Sequence, residues 1–474
     1  MRPFRNYKTK IICTIGPTSE SPGMPEELIS AGMDIARLNF SHGSFTSHRK
    51  NIEQIRKASR KTGKRVAIMG DLPGPKIRIG RLAFDSVELS PGKLLNLSVD
   101  SSADGDKKIF VNFAQLPQRV KPGDRLFLND GLIQLKVKEI SDNDVQCQVE
   151  IGGELHSHKG VNLPGVSLGI SAFTDNDRQW LEFAAEERLD AVSQSFVESP
   201  ADVQAVRETA STLDYQPFLI AKIERAGALD NIDEILSAAD GIMIARGDLG
   251  VEVPVETIAV TQKKLIKMAN HRGKPVITAT QMLESMVSSP RPTRAEVTDV
   301  SNAVLDGTDC VMLSGESAIG VYPLEAVRML IRIARVTEPI QTGYTEIKNP
   351  DNEQQEKSLR DLVAWSVQAA LRHIAAPAVF TPTQSGATAR SIARFRPPVW
   401  ILAVSSQFDT CQKLQFSYGV YPVHEPVYPK NYKSYARAWL REHGLRGDTV
   451  LLTEGPSPRH PEANHRLEII DLRL

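Results

Sequence analysis

Eight short apolar segments alternate with amphipathic segments along this chain, and this alternation restricts the fold more than any other feature. The apolar segments are typical of buried strands: TKIICTIG, IARLNF, RVAIMGD, LDAVSQSF, FLIAKIE, GIMIARGD, PVITAT and CVMLSGES. The segments between them, such as MPEELISAGM and HRKNIEQIRKASRKTG, have the apolar spacing of surface helices. Strand-then-helix units in this number predict a (β/α)8 TIM barrel, with catalytic groups at the carboxyl ends of its strands.

Two further regions depart from this alternation. After the third apolar segment, apolar and polar residues alternate over short stretches separated by glycine, proline and aspartate, which is typical of an all-β module. Later, the polar stretch NPDNEQQEK (349–357) predicts a linker, and the segments beyond it predict an open α/β sheet. We therefore predict a barrel from residues 1–72 and 171–345, an inserted all-β domain at 73–170, and a C-terminal open-sheet α/β domain at 346–474.

The charge balance argues against nucleic acid and membranes as partners. Lysine and arginine number 57, and aspartate and glutamate also number 57, so the formal net charge is zero. Proteins that bind nucleic acid or anionic membrane need a basic excess, and no apolar run approaches the ~20 residues of a membrane helix. The four cysteines form no CxxC pair, so we expect reduced thiols and a cytoplasmic location.

Charged side chains follow two neighbouring strands near the middle of the chain. In AKIERA, Lys222 and Glu224 lie two residues apart, so on a strand they face the same way. ARGDLG places Asp248 after the next strand, where the chain is expected to turn into a short helix. Two carboxylates such as Glu224 and Asp248 suit one Mg²⁺ ion, and Lys222 with Arg37 suits a phosphate or an enolate.

Polar groups also follow other strands. Thr280 ends the strand after ARGDLG, and backbone N–H groups near Gly247 would attract an anion at a helix start. The end of the second strand carries Arg37, Asn39, Ser41 and His42. A single polar pair at a strand end is commonly an ion pair that closes the barrel, but polar groups at four strand ends together favour catalysis. The chain has no GxxxxGK[ST] motif, which excludes a P-loop for the nucleotide.

Several motifs, in this order, resemble pyruvate kinase: RLNFSHG, GDLPGPKIR, HKGVNLPG, AKIE, ARGDLGVE, ITATQMLESM and PTRAEVTDVSNAVLDGTDCVMLSGESA. The resemblance runs from about Thr9 to Leu474 and is densest in the barrel. It implies transfer of the phosphoryl group of phosphoenolpyruvate to ADP, giving pyruvate and ATP, through an enolate that is then protonated. It also implies Mg²⁺ as the metal, with Mn²⁺ as an alternative ion, and a homotetramer.

The resemblance assigns roles to the residues at the strand ends. Glu224 and Asp248 would bind Mg²⁺, and Lys222 would stabilise the transferring phosphoryl group and the enolate. Arg37 would contact the phosphate, and the N–H groups of Gly247 and Asp248 would hold the substrate carboxylate.

The same resemblance extends to protonation and to the nucleotide. Thr280 would help protonate the enolate carbon through water, since a hydroxyl alone is a poor acid at neutral pH. The nucleotide would be contacted by Asn39, His42, Arg78 and Lys159. Because Lys159 lies in the inserted domain, the insert would act as a lid that closes over the site and excludes water.

The stretch GDLPGPKIRIG departs from the usual pattern of the family. Most members have glutamate where this chain has Lys76, and they require K⁺. The groups that hold K⁺ in those members match Asn39, Ser41, Asp71 and the backbone carbonyl of residue 72. With Leu72, Pro73 and Lys76, this chain resembles the potassium-independent members instead. A tethered ammonium would supply the charge of K⁺ without the entropic cost of capturing an ion, so we predict that K⁺ is not required; the alternative is a surface lysine that points away.

A hydroxyl-rich turn in the C-terminal domain, TPTQSGATARSIARF, leads into a helix expected to begin near Ala387. Such a turn suits a phosphate, although it is equally typical of a helix cap. The resemblance implies a phosphorylated small-molecule effector in this domain, with allosteric regulation. The expected contacts are Thr381, Ser385, Gly386 and Thr388, assisted by Arg390 and Arg394.

Two other functions fit part of the pattern. A Mg²⁺-dependent lyase or aldolase on the same barrel would use Glu224 and Asp248, but it gives no role to Arg78, Lys159 or the insert. A catalytically inactive effector-binding protein would be expected to lack Lys222, Asp248 or Thr280, and all three are present. Formation of ATP from phosphoenolpyruvate and ADP separates these functions.

Overall fold

The computed structural model describes residues 4–100, 108–129, 131–166, 168–341, 358–456 and 464–473. Its strands are β1 (Lys10–Ile15), β2 (Ile35–Asn39), β3 (Ala67–Leu72), β4 (Ser86–Leu89), β5 (Leu94–Ser98), β6 (Lys108–Phe110), β7 (Arg125–Leu128), β8 (Ile133–Ile140), β9 (Asp144–Ile151), β10 (Gly153–His156), β11 (Val161–Asn162), β12 (Ala191–Gln194), β13 (Phe218–Ile223), β14 (Gly241–Ala245), β15 (Val276–Ala279), β16 (Cys310–Leu313), β17 (Ala378–Pro382), β18 (Trp400–Ser405), β19 (Val420–His424), β20 (Thr449–Glu454) and β21 (Arg466–Asp471).

The helices, in chain order, are α1 (Met24–Ala31), α2 (Phe45–Thr62), α3 (Leu116–Arg119), α4 (Asp175–Glu186), α5 (Pro200–Thr212), α6 (Gly227–Asp230), α7 (Ile232–Ala238), α8 (Arg246–Glu252), α9 (Ile258–His271), α10 (Arg294–Asp306), α11 (Gly315–Ala318), α12 (Pro323–Gln341), α13 (Leu359–Leu371), α14 (Ala387–Ala393), α15 (Phe408–Lys413) and α16 (Tyr432–Glu442). Short 3₁₀ turns occur at Val255–Thr257, Glu284–Val287 and Leu414–Phe416.

Within the described residues, eight parallel strands close a barrel in the order β1-β16-β15-β14-β13-β12-β3-β2. This confirms the predicted (β/α)8 TIM barrel. Strands such as β1 and β13 are buried along their whole length, as parallel strands covered on both faces must be. Phe416 of the C-terminal domain packs into the interior of the barrel and stacks on Phe218, the first residue of β13, with the two ring centroids 5.4 Å apart. The amino end of the barrel is therefore closed by another domain.

The insert lies between β3 and α4, as predicted, and is built from β4 to β11. It contains a six-stranded sheet of order β11-β7-β8-β9-β5-β6 and a two-stranded sheet of β10 and β4. Leu97, Leu126, Leu135 and Val145 belong to an apolar core of its own, which explains the strict alternation of apolar and polar residues. The single-turn helix α3 is a small departure from the all-β prediction.

The C-terminal domain has a five-stranded sheet of order β19-β18-β17-β20-β21, in which only β21 runs antiparallel to its neighbour. Separate apolar clusters cover the two faces of this sheet, as expected of an open α/β sheet. The predicted linker, 349–357, and the boundary at 345/346 lie outside the described residues. The predicted domain limits stay predictions.

An arginine clamp joins the C-terminal domain to the amino end of the barrel. Arg396 is 2% exposed, and its guanidinium pairs with both oxygens of Asp309 at 2.8 and 2.9 Å. Its guanidinium carbon also lies 4.8 Å from the ring centroid of Tyr418, and the backbone N–H of Tyr418 donates to Asp309. A bidentate pair of this kind fixes orientation as well as distance, so the two domains are held in one arrangement.

Asp190 lies at the same junction and predicts a pH-dependent stability. Its Oδ2 accepts hydrogen bonds from Ile68 N (2.7 Å) and Gln412 Nε2 (3.1 Å). Burial raises the pKa of Asp190 from 3.8 to about 6. Two nearby charges have smaller effects, since Arg56 lowers this pKa and Asp409 raises it. The folded protein therefore binds this proton more tightly than the unfolded chain does. As the pH rises from about 4 to about 6, the free energy of unfolding should fall by on the order of 2 kcal/mol.

Urea unfolding at pH 4.5 and pH 7 measures this effect. Asp190→Asn should reduce the difference in the free energy of unfolding between pH 4.5 and pH 7, because the amide does not titrate. An unchanged pH dependence in the variant would contradict the assignment to Asp190.

Candidate active site

Lys222 lies at the centre of the polar groups at the carboxyl end of the barrel. Its Nζ is 2.9 Å from Glu224 Oε1 and 3.3 Å from Asp71 Oδ1, and it donates to Ser195 Oγ at 2.6 Å. Burial alone would lower the pKa of Lys222, but Asp71 and Glu224 outweigh burial and raise it. The ammonium therefore stays charged at neutral pH, inside a site that largely excludes water.

Arg37 supplies a second buried cation beside Lys222. Its Nε and Nη2 donate to Asp71 Oδ2 at 2.9 and 2.5 Å, and its Nη1 donates to Thr14 Oγ1 at 2.9 Å. Ser193 Oγ donates to the other oxygen of Asp71 at 2.6 Å. Burial opposes ionisation of Asp71, but Lys222 and Arg37 outweigh it and lower its pKa. Asp71 is thus the common counter-charge that holds both cations at the barrel mouth.

Glu224 and Asp248 form an electrostatically unfavourable pair without a cation between them. Burial raises the pKa of Glu224, and Asp248 raises it further, although Lys222 acts in the opposite direction. Glu224 Oε2 accepts a hydrogen bond from the backbone N–H of Phe196 at 2.8 Å. A divalent cation would relieve the repulsion between these carboxylates, so this donor set fits Mg²⁺, a hard ion that prefers oxygen ligands.

A cleft between the insert and the barrel contains both carboxylates. Its walls include Glu224 and Asp248 from the barrel and Lys76 and Gly160 from the insert side. Lys76 is exposed, and it lines the cleft rather than an unrelated surface. Arg225 holds the two sides together, since its Nη2 donates to the carbonyl of Val166 at 2.7 Å.

Left-handed backbone at residues other than glycine marks two of the strand ends. Phe196, which follows β12, has φ of 57°, and Thr280 and Gln281, which follow β15, have φ of 65° and 54°. Arg246 Nη2 donates to the carbonyl of Thr280, and the N–H of Gly247 donates to its hydroxyl, both at 2.8 Å. Such conformations cost about 1–3 kcal/mol each and persist where surrounding contacts enforce them, typically at functional sites.

Arg78 lies close to two of the other residues predicted to contact the nucleotide, His42 and Lys159. Burial lowers the pKa of the His42 imidazole, and the positive charges of Arg78, Lys76 and Arg37 lower it further. Arg78 Nη1 donates to the carbonyl of His158 at 2.8 Å, next to Lys159. Arg78 also forms a β-bridge with Gly160, so the structure brings these cations to one side of the cleft.

Comparison with known proteins identifies this arrangement. The family described as "Pyruvate kinase, barrel domain" matches residues 6–327, and "Pyruvate kinase, alpha/beta domain" matches residues 361–470. The chain belongs to the pyruvate kinase family. Pyruvate kinase of Thermococcus litoralis is 47% identical over 457 residues, which cover 95% of each chain. Pyruvate kinase of Staphylococcus aureus is 42% identical over 458 residues, covering 94% of this chain and 77% of that one.

A solved structure agrees with these sequence relatives. The crystal structure of a pyruvate kinase from Cryptosporidium parvum matches this chain with a TM-score of 0.91 and 36% identity, covering 98% of this chain and 96% of that one. The protein is accordingly a phosphotransferase that converts phosphoenolpyruvate and ADP into pyruvate and ATP. The lyase alternative is not favoured. Pyruvate kinases generally use Mg²⁺ and often K⁺. Within the described part of this chain, no helix is long and apolar enough to cross a membrane.

The C-terminal turn differs in part from its prediction as an effector site. Helix α14 begins at Ala387 as predicted, Gly386 has φ of 79°, and its N–H donates to Thr383 Oγ1 at 2.9 Å. Thr381, in contrast, is fully buried in β17, where its hydroxyl accepts from that of Thr453 at 3.2 Å. Ser385 and Thr388 remain accessible at the turn.

The two arginines predicted to assist the effector also contact the barrel, and Arg390 Nη2 donates to the carbonyl of Ser385 in the turn at 2.8 Å. Arg390 lies 5.9 Å from the ring centroid of Phe218, and Arg394 Nη1 donates to the carbonyl of His271 at 3.1 Å. Both side chains therefore contribute to the junction between the domains.

Sequence reasoning overlooked the serines of β12 and the turn after it. Ser193 and Ser195 lie two residues apart in LDAVSQSF, so they face the same way, and they reach Asp71 and Lys222 respectively. Their spacing at a strand end was the available signal. Arg246, the first residue of α8, pairs with Asp299 at 2.6 Å and donates to the backbone carbonyl of Thr280.

Proposed function

We propose that the residues around Lys222 carry out the phosphoryl transfer, and that they do so without bound K⁺. The observation that carries this proposal is the position of Lys222, whose ammonium lies within 3.3 Å of both Glu224 and Asp71. Arg37 shares Asp71 with Lys222 and would bind the phosphate of phosphoenolpyruvate. Preorganised cations of this kind lower the barrier because they need no rearrangement as charge develops.

Glu224 and Asp248 would hold Mg²⁺, with Mn²⁺ as the alternative ion. When bound, the ion would neutralise negative charge on the substrate oxygens. The backbone N–H groups of Gly247 and Asp248 would hold the substrate carboxylate. Since the N–H of Gly247 donates to Thr280 Oγ1 at 2.8 Å, the substrate would have to replace this bond and release the hydroxyl of Thr280.

The released hydroxyl suits the final proton transfer. Thr280 Oγ1 donates to the carbonyl of Ala279 at 2.7 Å, and it lies on strained backbone that fixes its position. We assign to it the orientation of a water molecule that protonates the enolate carbon, because a threonine hydroxyl is too weak an acid to act alone. Lys222 would stabilise the enolate oxygen until that proton arrives.

Asn39, His42, Arg78 and Lys159 would bind the nucleotide. The charges of Arg78 and Lys76 already lower the pKa of His42, which supports a shared, electropositive surface for the phosphates of ADP. The insert would act as the lid, with Lys159 and Arg78 moving with it as it opens and closes.

Three of the groups that would bind K⁺, namely Asn39, Asp71 and the carbonyl of Leu72, accept hydrogen bonds from donors within the chain. Ser195 Oγ donates to the carbonyl of Leu72 at 2.7 Å, and the backbone N–H of Ser41 donates to Asn39 Oδ1 at 3.2 Å. Asp71 is occupied by Arg37, Lys222 and Ser193, as described above. Together with Lys76 in the cleft, this arrangement supports the proposal that a tethered cation replaces K⁺.

One assay tests both parts of the proposal. Pyruvate and ATP formation from phosphoenolpyruvate and ADP would be measured with Mg²⁺, in KCl and in tetramethylammonium chloride at equal ionic strength. We expect equal rates in the two salts. Strong stimulation by K⁺ would contradict the role of Lys76, and absence of pyruvate in both salts would contradict the catalytic assignments.

We also propose a phosphorylated small-molecule effector at the turn before α14. Ser385 is exposed and Thr388 is half-buried there, so both hydroxyls are accessible to a phosphate. Thr381 is not part of this proposal, because its hydroxyl is buried.

A homotetramer is proposed from an apolar surface on the C-terminal domain. Leu359, Leu362 and Trp365 on α13 are 63%, 45% and 48% exposed, and Ile469 on the neighbouring edge strand β21 is 57% exposed. A second copy of the chain would cover this surface and pair with the strand edge.

We expect Trp365→Glu to reduce the assembly from tetramers to dimers, because it places a charge in the centre of this surface. Sedimentation velocity at about 1 µM measures the change. Leu132→Glu is the matched control, since Leu132 is 69% exposed on the lid. Tetramers in both variants would contradict the proposed interface.

We place the protein in the cytoplasm. Cys13, Cys147, Cys310 and Cys411 are buried free thiols, and burial raises the pKa of each. Unreactive free thiols are typical of proteins in reducing compartments.

A further inference from the structure

We infer that Ser195 is a positioning residue for phosphoryl transfer, because its hydroxyl connects the Lys222 ammonium to the turn that carries Lys76. The inference rests on the function proposed above. Lys222 Nζ donates to Ser195 Oγ at 2.6 Å, and Ser195 Oγ donates to the carbonyl of Leu72 at 2.7 Å. Ser195 is 2% exposed, so water does not compete for either bond.

The direction of this hydrogen-bond chain is fixed by its two ends. An ammonium group has only donors, and a backbone carbonyl has only an acceptor. The hydroxyl of Ser195 must therefore accept from Lys222 and give its one proton to Leu72. Consecutive bonds of this kind polarise and strengthen each other, so Lys222 is held in one orientation.

The turn after β3 packs directly against Ser195. Gly74 has φ of 66°, and a Cβ atom built on it would lie 3.1 Å from Ser195 Cβ and 2.8 Å from Phe196 Cδ2. Two residues further on, this turn carries Lys76 into the cleft. A shift of the turn would therefore be transmitted to Ser195 and, through its hydroxyl, to Lys222.

Phe196 extends the same connection to the metal-binding carboxylate. Its backbone is left-handed, with φ of 57°, and its N–H donates to Glu224 Oε2 at 2.8 Å. Ser195 and Phe196 thus contact the turn on one side and both charged partners, Lys222 and Glu224, on the other. The dipeptide sets the relative position of the catalytic cation, the carboxylate and the tethered ammonium.

Ser195→Ala tests this inference. Loss of a hydrogen bond to a charged group should lower kcat roughly 10- to 100-fold. Equilibrium binding of phosphoenolpyruvate, measured by calorimetry without ADP, should change less than about threefold, because Ser195 is not assigned to the substrate. Ser195→Thr keeps the hydroxyl and should restore most of kcat.

Ser317→Ala is the matched control. Ser317 is fully buried at the same rim of the barrel, and its Oγ donates to the carbonyl of Thr14 at 2.9 Å without contacting Lys222. Its kcat should stay near that of the wild type. A wild-type kcat in Ser195→Ala would overturn the inference, as would an equal loss in Ser317→Ala or a folded Ser195→Thr as slow as Ser195→Ala.

A double-mutant cycle with Lys76→Met tests the connection to the turn. If Ser195 transmits the position of the turn, the loss of kcat caused by Lys76→Met should be at least about threefold smaller in the Ser195→Ala background than in the wild type. Additive losses would overturn the connection. A wild-type protein that forms no pyruvate would instead contradict the proposed function, so the two failures are distinguishable.

Discussion

Lys222→Met is expected to lower kcat by about a thousandfold or more, because it removes the buried cation from the position where negative charge develops. Its ammonium is paired with Glu224 and Asp71 and keeps its charge because both carboxylates raise its pKa. Methionine keeps most of the apolar stem but no charge. The measurement is the steady-state rate of pyruvate formation at saturating phosphoenolpyruvate, ADP and Mg²⁺.

The control for this substitution is the integrity of the metal site. Glu224 and Asp248 remain in the variant, so its binding of Mn²⁺, measured by the paramagnetic relaxation of water, should persist. Lys222→Arg should also be slow, since a planar guanidinium does not reproduce the compact ammonium. A Lys222→Met variant that folds, binds Mn²⁺ and keeps more than a tenth of wild-type kcat would exclude Lys222 as the stabilising cation.

Lys76→Glu is expected to make the protein dependent on K⁺. In tetramethylammonium chloride its kcat should fall roughly 10- to 100-fold, because a positive charge in the cleft becomes a negative one. In KCl much of that loss should be recovered, since glutamate with K⁺ has no net charge. Lys76 lines the cleft with Glu224 and Asp248, so the reversal of charge acts on the reacting groups.

Lys138→Glu separates this local effect from a general effect of charge. Lys138 is exposed on β8 of the inserted domain, and the substitution changes the net charge by the same amount. Its rate should be the same in both salts. A Lys76→Glu variant that also shows equal rates in both salts would mean that Lys76 does not replace K⁺.

The fold was predictable from sequence because its strands are buried in two different ways. The barrel strands are covered on both faces, so β13 is almost continuously apolar. The strands of the inserted domain enclose a small core on one face, so β9 alternates apolar and polar residues along its length. The contrast between these patterns separates the inserted domain from the barrel without any knowledge of tertiary contacts.

The site was predictable only where charge made it conspicuous. Lys222, Glu224 and Asp248 stand out because burying a charged group at the end of an apolar strand costs free energy unless the charge is paired. Ser195 does not stand out, because serine is common in turns and its partner, Leu72, is 123 residues away in the chain. The accessibility of Thr381 was also beyond prediction, since it depends on Thr453, which comes from another strand.

The aromatic stack of Phe416 on Phe218 limits how far this protein can be treated as modular. A barrel expressed without its C-terminal partner would lose part of its own hydrophobic interior and expose Phe218 to solvent. Exchanging the C-terminal domain for that of a relative would likewise place a foreign side chain inside the barrel. Chimaeras should therefore retain residues 414–418 of this chain inside the exchanged C-terminal domain, whatever the source of the rest of that domain.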